Sequence, residues 1–458
     1  MSRIRELIVL GALILSGWAS LALPAGMTPD QALTFGAMLI TLSLWGTGLV
    51  PGYVASTFLF AALILAGLAT PQEVFASFSS SAIWLVVAGF VIGAAITQSG
   101  LGARLGALAR PHLSKSYATL IAGLMLLGMG LGFVMPSSLG RAAVLVPVGM
   151  ALADVLGLGK GSAGRTGVAV VIAIGTNMPS FAILPSNIPN VILSGVAEQS
   201  LGLHFSYADY LLLHYPVLGV LKSVAIVALV LAFFPARLQP AEAASAAASG
   251  GSGRRQGALL GLLAVTLALW ATDQIHGINP AWVGLGVALV LMVPQFGFVP
   301  PPVFKSSVDF SMLLFVAGAL TLGTVVNASG LGKIIAAEAF AVLPFQPGRD
   351  FLNFMSLSLL GTSTSIFTTM AGVPAVLTPL APDLAQSTGF SVQAVLMTQV
   401  IGFSTVLFPY QVGPLIVAMG LAGESTRPLL KVTLSLFVIT ALVFLPLDYL
   451  WWKLLGVI

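Results

Sequence analysis

The chain has 458 residues but contains only 18 Lys and Arg and 14 Asp and Glu, so that charged residues make up 7% of it and hydrophobic residues 58%. Ordinary soluble domains carry about 25% charged residues, and this composition therefore excludes a soluble enzyme, a disordered chain and a nucleic-acid-binding protein. Cysteine is absent, which excludes disulfides and thiol chemistry. We predict an all-α polytopic membrane protein surrounded by lipid, because continuous apolar runs cross a membrane as helices.

In chain order, the apolar segments predict about 11 transmembrane helices and two re-entrant hairpins, with two broken helices between them. In each hairpin, two short arms are joined by a very short polar segment. The alternative is two tight pairs of full spans, which return the chain to the same side. The predicted units are N-terminal scaffold helices 1–80, a first repeat 81–234 with hairpin 118–157 and broken helix 166–195, a cytoplasmic linker 235–256, scaffold helices 257–310, and a second repeat 311–458 with hairpin 351–388 and broken helix 396–420.

The basic residues of the loops predict the orientation. With the N-terminus inside, the inner loops hold thirteen Lys and Arg and the outer loops three, which is a strong positive-inside bias. We therefore expect an inner (plasma) membrane protein with a cytoplasmic N-terminus. Arg3 and Arg5 precede the first apolar run, which is interpreted as a retained span rather than a signal peptide. Lys222 lies within a crossing near its inner end, and we expect it to snorkel.

The two halves on either side of the linker resemble each other. Segment 81–102 matches 311–332 at an offset of 230, segment 136–147 matches 368–379 at an offset of 232, and segment 184–192 matches 408–416 at an offset of 224. The first repeat starts outside and the second inside, so the repeats are inverted. Inverted repeats with interrupted helices are typical of secondary transporters.

Polar residues cluster at the two hairpin tips and at the two broken helices, where they are candidates for function. Prolines and glycines there free backbone groups, half-helix N-termini attract anions, and hydroxyl and carbonyl oxygens bind Na⁺. The alternative for each Ser or Thr alone is helix packing. The predicted substrate-binding residues are Ser137, Ser138, Arg141, Asn187, Thr368, Thr369, Gln411 and Pro414. The predicted cation-binding residues are Ser137, Ser186, Asn190, Thr364 and Ser365.

Arg141 is the sharpest of these candidates. If 118–157 is a hairpin, Arg141 lies near the middle of the membrane without a carboxylate nearby in sequence. Its charge then pairs with an anionic substrate or replaces a bound cation. If 118–157 is two full spans, Arg141 lies at the outer interface and snorkels.

The sequence lacks the motifs that other classes of function require. The sequence shows no nucleotide-binding glycine loop, metal-ligand cluster or catalytic triad, and we expect no cofactor apart from Na⁺ as a coupling ion. Very few carboxylates lie in the membrane segments, which argues against a proton relay. A polytopic membrane enzyme would need a charged catalytic cluster in an interfacial loop, and a channel would need a ring-lined pore.

At the tips and breaks the chain resembles the divalent anion/sodium symporter family of the ion transporter superfamily, over nearly its whole length. The first tip, Pro136 to Arg141, keeps the Pro, Ser and Arg found in the citrate/succinate and oxoglutarate/malate exchangers, although the family's tip asparagine is lost. Segment 187–190 is similar to the family's Thr-Pro-Pro-Asn break, with one proline lost. The resemblance implies a homodimer and an elevator-like movement.

The sequence therefore predicts a secondary active transporter for small divalent organic anions of the dicarboxylate or tricarboxylate type. It would work by alternating access, either coupled to Na⁺ or as an anion exchanger, with a small anion as its partner. The alternatives are a transporter for sulfate or another oxyanion, or a Na⁺/H⁺ antiporter of the same superfamily.

Overall fold

The computed structural model describes residues 2–238, 253–340 and 343–458, and in these ranges the chain is helical and contains no strand. This confirms the all-α fold class. Residues 239–252 of the predicted linker 235–256 lie outside the described ranges. Eight helices in the described residues are long and apolar enough to cross a membrane, and shorter apolar helices accompany them. The number of 11 crossings and the re-entrant path of the hairpins stay predictions.

The first half consists of helices that follow one another with short connections. In its described part they are α1 (Ser2–Ala22), α2 (Pro29–Thr47), α3 (Gly52–Leu65), α4 (Pro71–Phe75), α5 (Ser81–Ser99), α6 (Leu101–Leu113), α7 (Tyr117–Val134), α8 (Ser138–Val155), α9 (Ala163–Gly175), α10 (Ile188–Leu201), α11 (Tyr207–His214) and α12 (Lys222–Phe233).

The second half repeats this arrangement with a longer hairpin helix. In its described part the helices are α13 (Gly253–Ala271), α14 (Asp273–His276), α15 (Pro280–Met292), α16 (Pro301–Ser307), α17 (Phe310–Ala328), α18 (Leu331–Phe340), α19 (Asp350–Leu377), α20 (Ala381–Thr388), α21 (Val392–Ser404), α22 (Gly413–Leu421), α23 (Arg427–Ile439) and α24 (Leu445–Leu454).

Short helices of other types mark the irregular places. The 3₁₀-helices are Pro24–Gly26, Ala76–Ser79, Met178–Ala182, Leu184–Ser186, Thr378–Leu380 and Pro409–Gln411, and the π-helices are Tyr215–Leu221 and Thr440–Phe444. Two of the 3₁₀-helices fill the gap between α9 and α10, and one fills the gap between α21 and α22. Each of these pairs is therefore a broken helix with an irregular centre.

Local sequence explains where the hairpin helices begin and end. The Ser116 hydroxyl accepts a hydrogen bond from the backbone N–H of Thr119 and starts α7, and the Ser137 hydroxyl accepts one from Gly140 and starts α8. Pro136, between the two arms, lacks the N–H that would continue α7. In the second hairpin, α19 is bent within its length at Thr369, whose φ of 64° is not helical.

Paired glycines hold each hairpin against a broken helix. A methyl group added at Gly128 on α7 would lie 2.7 Å from the carbonyl carbon of Gly175, where α9 ends. In the second half, a methyl group added at Gly402 on α21 would lie 2.7 Å from the Cα atom of Gly361 on α19. Small residues allow such close backbone contact between membrane helices. The same contact thus places the breaks of hairpin and broken helix side by side in both halves.

The apolar core forms two buried clusters. One lies among the hairpin helices, the broken helices and the helices that follow them, and includes Leu124, Ile172, Phe403 and Trp452. The other lies where α2 and α3 pack against α17, and includes Leu59 and Leu320. Apolar residues from all four breaks belong to the first cluster, among them Met135, Phe181, Met370 and Val412.

We expect Gly402→Ala to lower the thermal unfolding temperature of the protein in detergent, because the added methyl meets backbone atoms that cannot rotate away. Overpacking of this kind costs about 1–3 kcal/mol. Gly286→Ala is the matched control, since nothing lies within 4 Å of the methyl group that it adds. Equal unfolding temperatures for the two variants would show that the glycine contact does not hold the second hairpin in place.

Candidate functional site

The four breaks of the fold surround one cavity of about 430 Å³. Its wall is formed by the first hairpin tip, the centre of the first broken helix, the bend of the second hairpin and the centre of the second broken helix. Most of the wall is apolar, as is usual for sites that bind small molecules. The polar residues in the wall are Ser137, Ser138, Asn177, Asn187, Asp309, Thr369, Tyr410 and Gln411.

Four helical segments begin at this cavity. The first residues of α8, α10 and α22 and the second arm of α19, which starts at Met370, all contribute to its wall. In the part of the chain that the structure describes, neither α10 nor α22 has a side-chain cap at its N-terminus. Their free N–H groups and the positive ends of four helix dipoles therefore face the same space, which suits an anion.

Arg141 lies beside the cavity and is fully buried. Its Nε donates to the carbonyl oxygen of Thr176 at 2.7 Å, and its Nη2 donates to the Ser138 hydroxyl at 2.8 Å. Both Nη atoms lie 3.3 Å from the Ser186 carbonyl oxygen, and Nη1 also donates to the Met135 carbonyl oxygen. The guanidinium thus joins the hairpin tip to the broken helix through the oxygens that their breaks leave free.

Two amide side chains support the backbone of the broken helices. Asn190 Nδ2 donates to the carbonyl oxygens of Phe181 at 3.0 Å and Ile183 at 2.9 Å. In the second half, Gln411 Oε1 accepts from the N–H groups of Leu407 at 2.9 Å and Phe408 at 2.7 Å. These bonds satisfy backbone groups that the breaks would otherwise leave unpaired in the interior.

The structure brings part of the predicted site together at the cavity and places the rest behind it. The predicted substrate-binding residues in the wall are Ser137, Ser138, Asn187, Thr369, Gln411 and Pro414. Arg141 and Thr368 are buried and bond to protein oxygens instead, the Thr368 hydroxyl to the Thr364 carbonyl at 2.9 Å. Of the predicted cation-binding residues, Ser137 is in the wall. Ser186, Asn190 and Ser365 are buried behind it, and Thr364 is half-buried.

Ser186, one of the residues predicted to bind a cation in the first half, uses both of its oxygens in hydrogen bonds within the protein. The Ser186 carbonyl accepts from Arg141, and the Ser186 hydroxyl donates to the Gly132 carbonyl. In the second half, the Ser365 hydroxyl donates to the Thr362 carbonyl at 2.7 Å and accepts from Gln411 Nε2 at 2.6 Å. Within the described residues, no group of three His, Asp or Glu is placed to hold a metal ion.

Asn177 is a site residue that the prediction did not include. It is 1% exposed, it lines the cavity, and neither Nδ2 nor Oδ1 has a hydrogen-bond partner in the described part of the chain. A buried amide without partners is costly, and it gains most from a polar ligand. The sequence signal was its place in the polar run of the first broken helix, which did not distinguish it from its neighbours.

Thr369 carries backbone strain at the cavity. Its φ of 64° and ψ of 171° lie in a region that is essentially restricted to glycine. The bend points the N-terminus of the second arm of α19 into the cavity. Strain of this kind costs about 1–3 kcal/mol and is concentrated at functional sites in proteins.

The chain matches the family described as the sodium:sulfate symporter transmembrane region over residues 2–458. The chain belongs to this family. The match covers the two hairpins and both broken helices, and it confirms the resemblance to the divalent anion/sodium symporters.

The chain is similar to proteins from several organisms. It is 24% identical to a membrane protein of Cupriavidus necator over 83% of this chain and 76% of that protein. It is 26% identical to the chloroplastic dicarboxylate transporter 2.2 of Arabidopsis thaliana, over 93% of this chain and 81% of the relative. It is 23% identical to the L-tartrate/succinate antiporter of Escherichia coli K12, over 81% of this chain and 80% of the antiporter.

Two solved structures share the fold of this symporter-family chain. The YdaH transporter of Alcanivorax borkumensis has a TM-score of 0.56 at 16% identity, covering 86% of this chain and 90% of that one. MtrF of Neisseria gonorrhoeae has a TM-score of 0.57 at 13% identity, and the likeness covers 90% of this chain and 97% of MtrF. At these identities the likeness concerns the fold alone.

Thr369→Gly should raise the thermal unfolding temperature, because glycine adopts the backbone conformation of this position without strain. Thr368→Gly is the matched control one residue earlier, within the regular part of α19, where glycine should destabilise the helix by about 1 kcal/mol. Thermal unfolding of both variants in detergent measures the difference. A loss of stability in Thr369→Gly equal to that in Thr368→Gly would contradict the strain at the bend.

Proposed function

We propose that this protein is a secondary active transporter for small divalent organic anions of the dicarboxylate or tricarboxylate type. The observation that carries the proposal is the convergence of four half-helix N-termini on one cavity. An anion bound there would accept hydrogen bonds from free backbone N–H groups, from the Ser137 and Thr369 hydroxyls and from the Asn177 and Asn187 amides. The two carboxylates of a dicarboxylate could face the two halves of the inverted repeat.

The relatives support this substrate class. They include a dicarboxylate transporter and L-tartrate/succinate antiporters, and the similarity covers most of the length of these proteins. Since tartrate and succinate are four-carbon dianions, the cavity would take a compact anion with a charge at each end. Family and relatives are transporters, which favours transport over membrane enzymology.

Arg141 supplies a fixed positive charge to this site. Because all three of its guanidinium nitrogens donate to protein oxygens, its geometry favours the replacement of a bound cation over direct contact with the anion. A cation would use the same kind of oxygens, carbonyls from a hairpin tip and a broken helix. In the first half, Arg141 would therefore take the place of a bound Na⁺. For this reason we favour anion exchange without Na⁺ over Na⁺ symport.

The movement would be an elevator-like displacement of the hairpins and broken helices as one body. The glycine contacts that join α7 to α9 and α19 to α21 support this, because they fix each hairpin to its broken helix. Alternating access would then expose the cavity to one side of the inner membrane at a time. A homodimer with a cytoplasmic N-terminus belongs to the same proposal.

A sulfate transporter is the second candidate, because half-helix N-termini bind sulfate as well as carboxylates and the family description names sulfate. A Na⁺/H⁺ antiporter is a further alternative within the superfamily.

Uptake into proteoliposomes distinguishes these three functions. Labelled succinate, citrate and sulfate are supplied with and without Na⁺ and with and without preloaded succinate. We expect succinate uptake that preloading stimulates and Na⁺ does not. Proton flux driven by Na⁺ without anion uptake would overturn the proposal.

Asn177→Ala should weaken the binding of the transported anion at least about fivefold, because a neutral hydrogen bond contributes about 1 kcal/mol. The unfolding temperature of the variant without ligand should not fall, since the amide has no partner within the described ranges. Asn190→Ala is the control, and it should lose thermal stability because its amide supports several carbonyls. Unchanged anion affinity in Asn177→Ala would remove Asn177 from the site.

Arg141→Gln should reduce uptake at least about tenfold, because charge-assisted hydrogen bonds contribute about 1.5–3 kcal/mol each. Arg141→Lys keeps the charge and should retain part of the uptake. Initial rates in proteoliposomes at several concentrations give affinity and turnover separately. Unchanged values for both in Arg141→Gln would show that the charge has no role in transport.

A further inference from the structure

Two charged residues lie in the interior on related helices. Lys222 is 2% exposed and Asp448 is 0% exposed. The expectation that Lys222 snorkels is therefore wrong, because its helix is covered on this side. Asp448 lies near the end of its apolar segment, but it is buried as well. Ionisable residues inside a membrane protein are costly and are functional candidates by default.

Both residues follow a π-helix. Lys222 comes directly after Tyr215–Leu221, and Asp448 comes four residues after Thr440–Phe444. At the repeat offset of 224, the first π-helix corresponds to 439–445, so the two π-helices occupy equivalent places in the two halves. π-helices are rare and frequently mark functional sites. Both charged residues thus lie just after the equivalent π-helices of the two halves.

Lys222 connects the pair to the cavity. Its Nζ donates to the carbonyl oxygen of Ser404 at 2.8 Å, and Ser404 is the last residue of α21. A cation is favourable at this negative end of a half-helix. The other half of the same broken helix begins at Gly413 in the cavity wall. The ammonium group therefore lies at the C-terminal end of one half of this broken helix, as the guanidinium of Arg141 does at the end of α9.

Among the residues that the structure describes, Asp448 has no hydrogen-bond partner and no direct ion pair. Both of its carboxyl oxygens are buried, and the carboxyl group interacts electrostatically with Lys222. A buried carboxylate without hydrogen bonds is highly unfavourable, and a proton removes this cost. The pair thus has a net charge of +1 when Asp448 is protonated and zero when it is ionised.

Several other ionisable groups on the surrounding helices have partners elsewhere, whereas His214 Nδ1 and the Tyr207 hydroxyl are buried without a hydrogen-bond partner among the described residues. On α11, His214 packs on Trp452 and on Tyr210, whose hydroxyl donates to the Phe181 carbonyl. On α9, Arg165 pairs with Asp154 and lies 3.8 Å from Glu424. The remaining groups on the elements packed against the pair are Tyr117, Tyr207, Asp209, Tyr215, Asp350, Arg427, Lys431, Tyr449 and Lys453.

We propose that Lys222 and Asp448 form a proton-binding site that is loaded together with the divalent anion. The proposal rests on the proposed function. With a proton on Asp448, Lys222 and Arg141 place two positive charges behind the cavity and balance a dianion. Without it, one charge is left uncompensated when the loaded site moves through the hydrocarbon, where unbalanced charge is costly.

The test measures succinate binding by calorimetry with the purified full chain in detergent between pH 7 and pH 9, where both succinate carboxyls are ionised. Buffers of different ionisation enthalpy report the protons taken up. We expect the wild-type affinity to fall with rising pH, by up to tenfold per unit, with uptake of up to one proton per succinate.

Asp448→Asn holds this position neutral. The affinity of this variant for succinate should therefore stay high between pH 7 and pH 9, and binding should take up no proton. Asp448→Leu is the second variant, because replacing a buried charge by an apolar residue is often tolerated. Asp273→Asn is the matched control. Asp273 is a buried carboxylate whose oxygens accept from the Tyr207 N–H at 2.6 Å and the Ser206 hydroxyl at 3.1 Å. It should keep the wild-type dependence on pH.

The possible failures are distinguishable. Wild-type binding that does not depend on pH, or a wild-type dependence on pH in both Asp448 variants, overturns the proton site and leaves the anion carrier standing. A folded wild-type protein that binds neither succinate nor citrate nor sulfate at any pH overturns the proposed function, and the proton site falls with it.

Discussion

Backbone N–H and carbonyl groups inside a membrane need hydrogen-bond partners, and this fold interrupts four helices where such partners are scarce. Each interruption frees several groups at once, and each unpaired group costs several kcal/mol in hydrocarbon. The chain meets this cost with a small number of long side chains. Arg141 and Lys222 donate to carbonyl groups at the ends of half-helices, and Asn190 and Gln411 bond to the backbone between the halves.

The same constraint builds the cavity. Side chains satisfy the carbonyl groups at the C-terminal ends of the half-helices, whereas the N-termini of α10 and α22 have no side-chain cap. The glycine contacts of Gly128 and Gly402 bring the hairpin breaks to the same place. The result is a pocket with amide donors on its inside and cationic side chains behind it. An anion would complete the hydrogen bonding that the fold leaves open there.

Much of this arrangement follows from the sequence. The repeat offsets and the proline and glycine breaks predict the hairpins and broken helices, since these depend on local chemistry. They also predict that Ser137, Asn187, Thr369 and Gln411 meet at one cavity. The direction of a long side chain is different, because it depends on helices far away in the chain. Lys222 bonds to a residue 182 positions away, and no local pattern predicts this partner.

The two halves share a fold but differ in their charges. In the first half, the cation at the end of the half-helix comes from the hairpin, and it is a guanidinium, which stays charged at all relevant pH values. At the end of the half-helix in the second half, the cation is Lys222 from α12 of the first half, an ammonium group that interacts with a carboxyl that can accept a proton. Inverted repeats make the two sides of the site geometrically equivalent. The difference between a permanent charge and a proton-dependent one is therefore where the halves of this carrier would acquire different roles in binding and release of the anion.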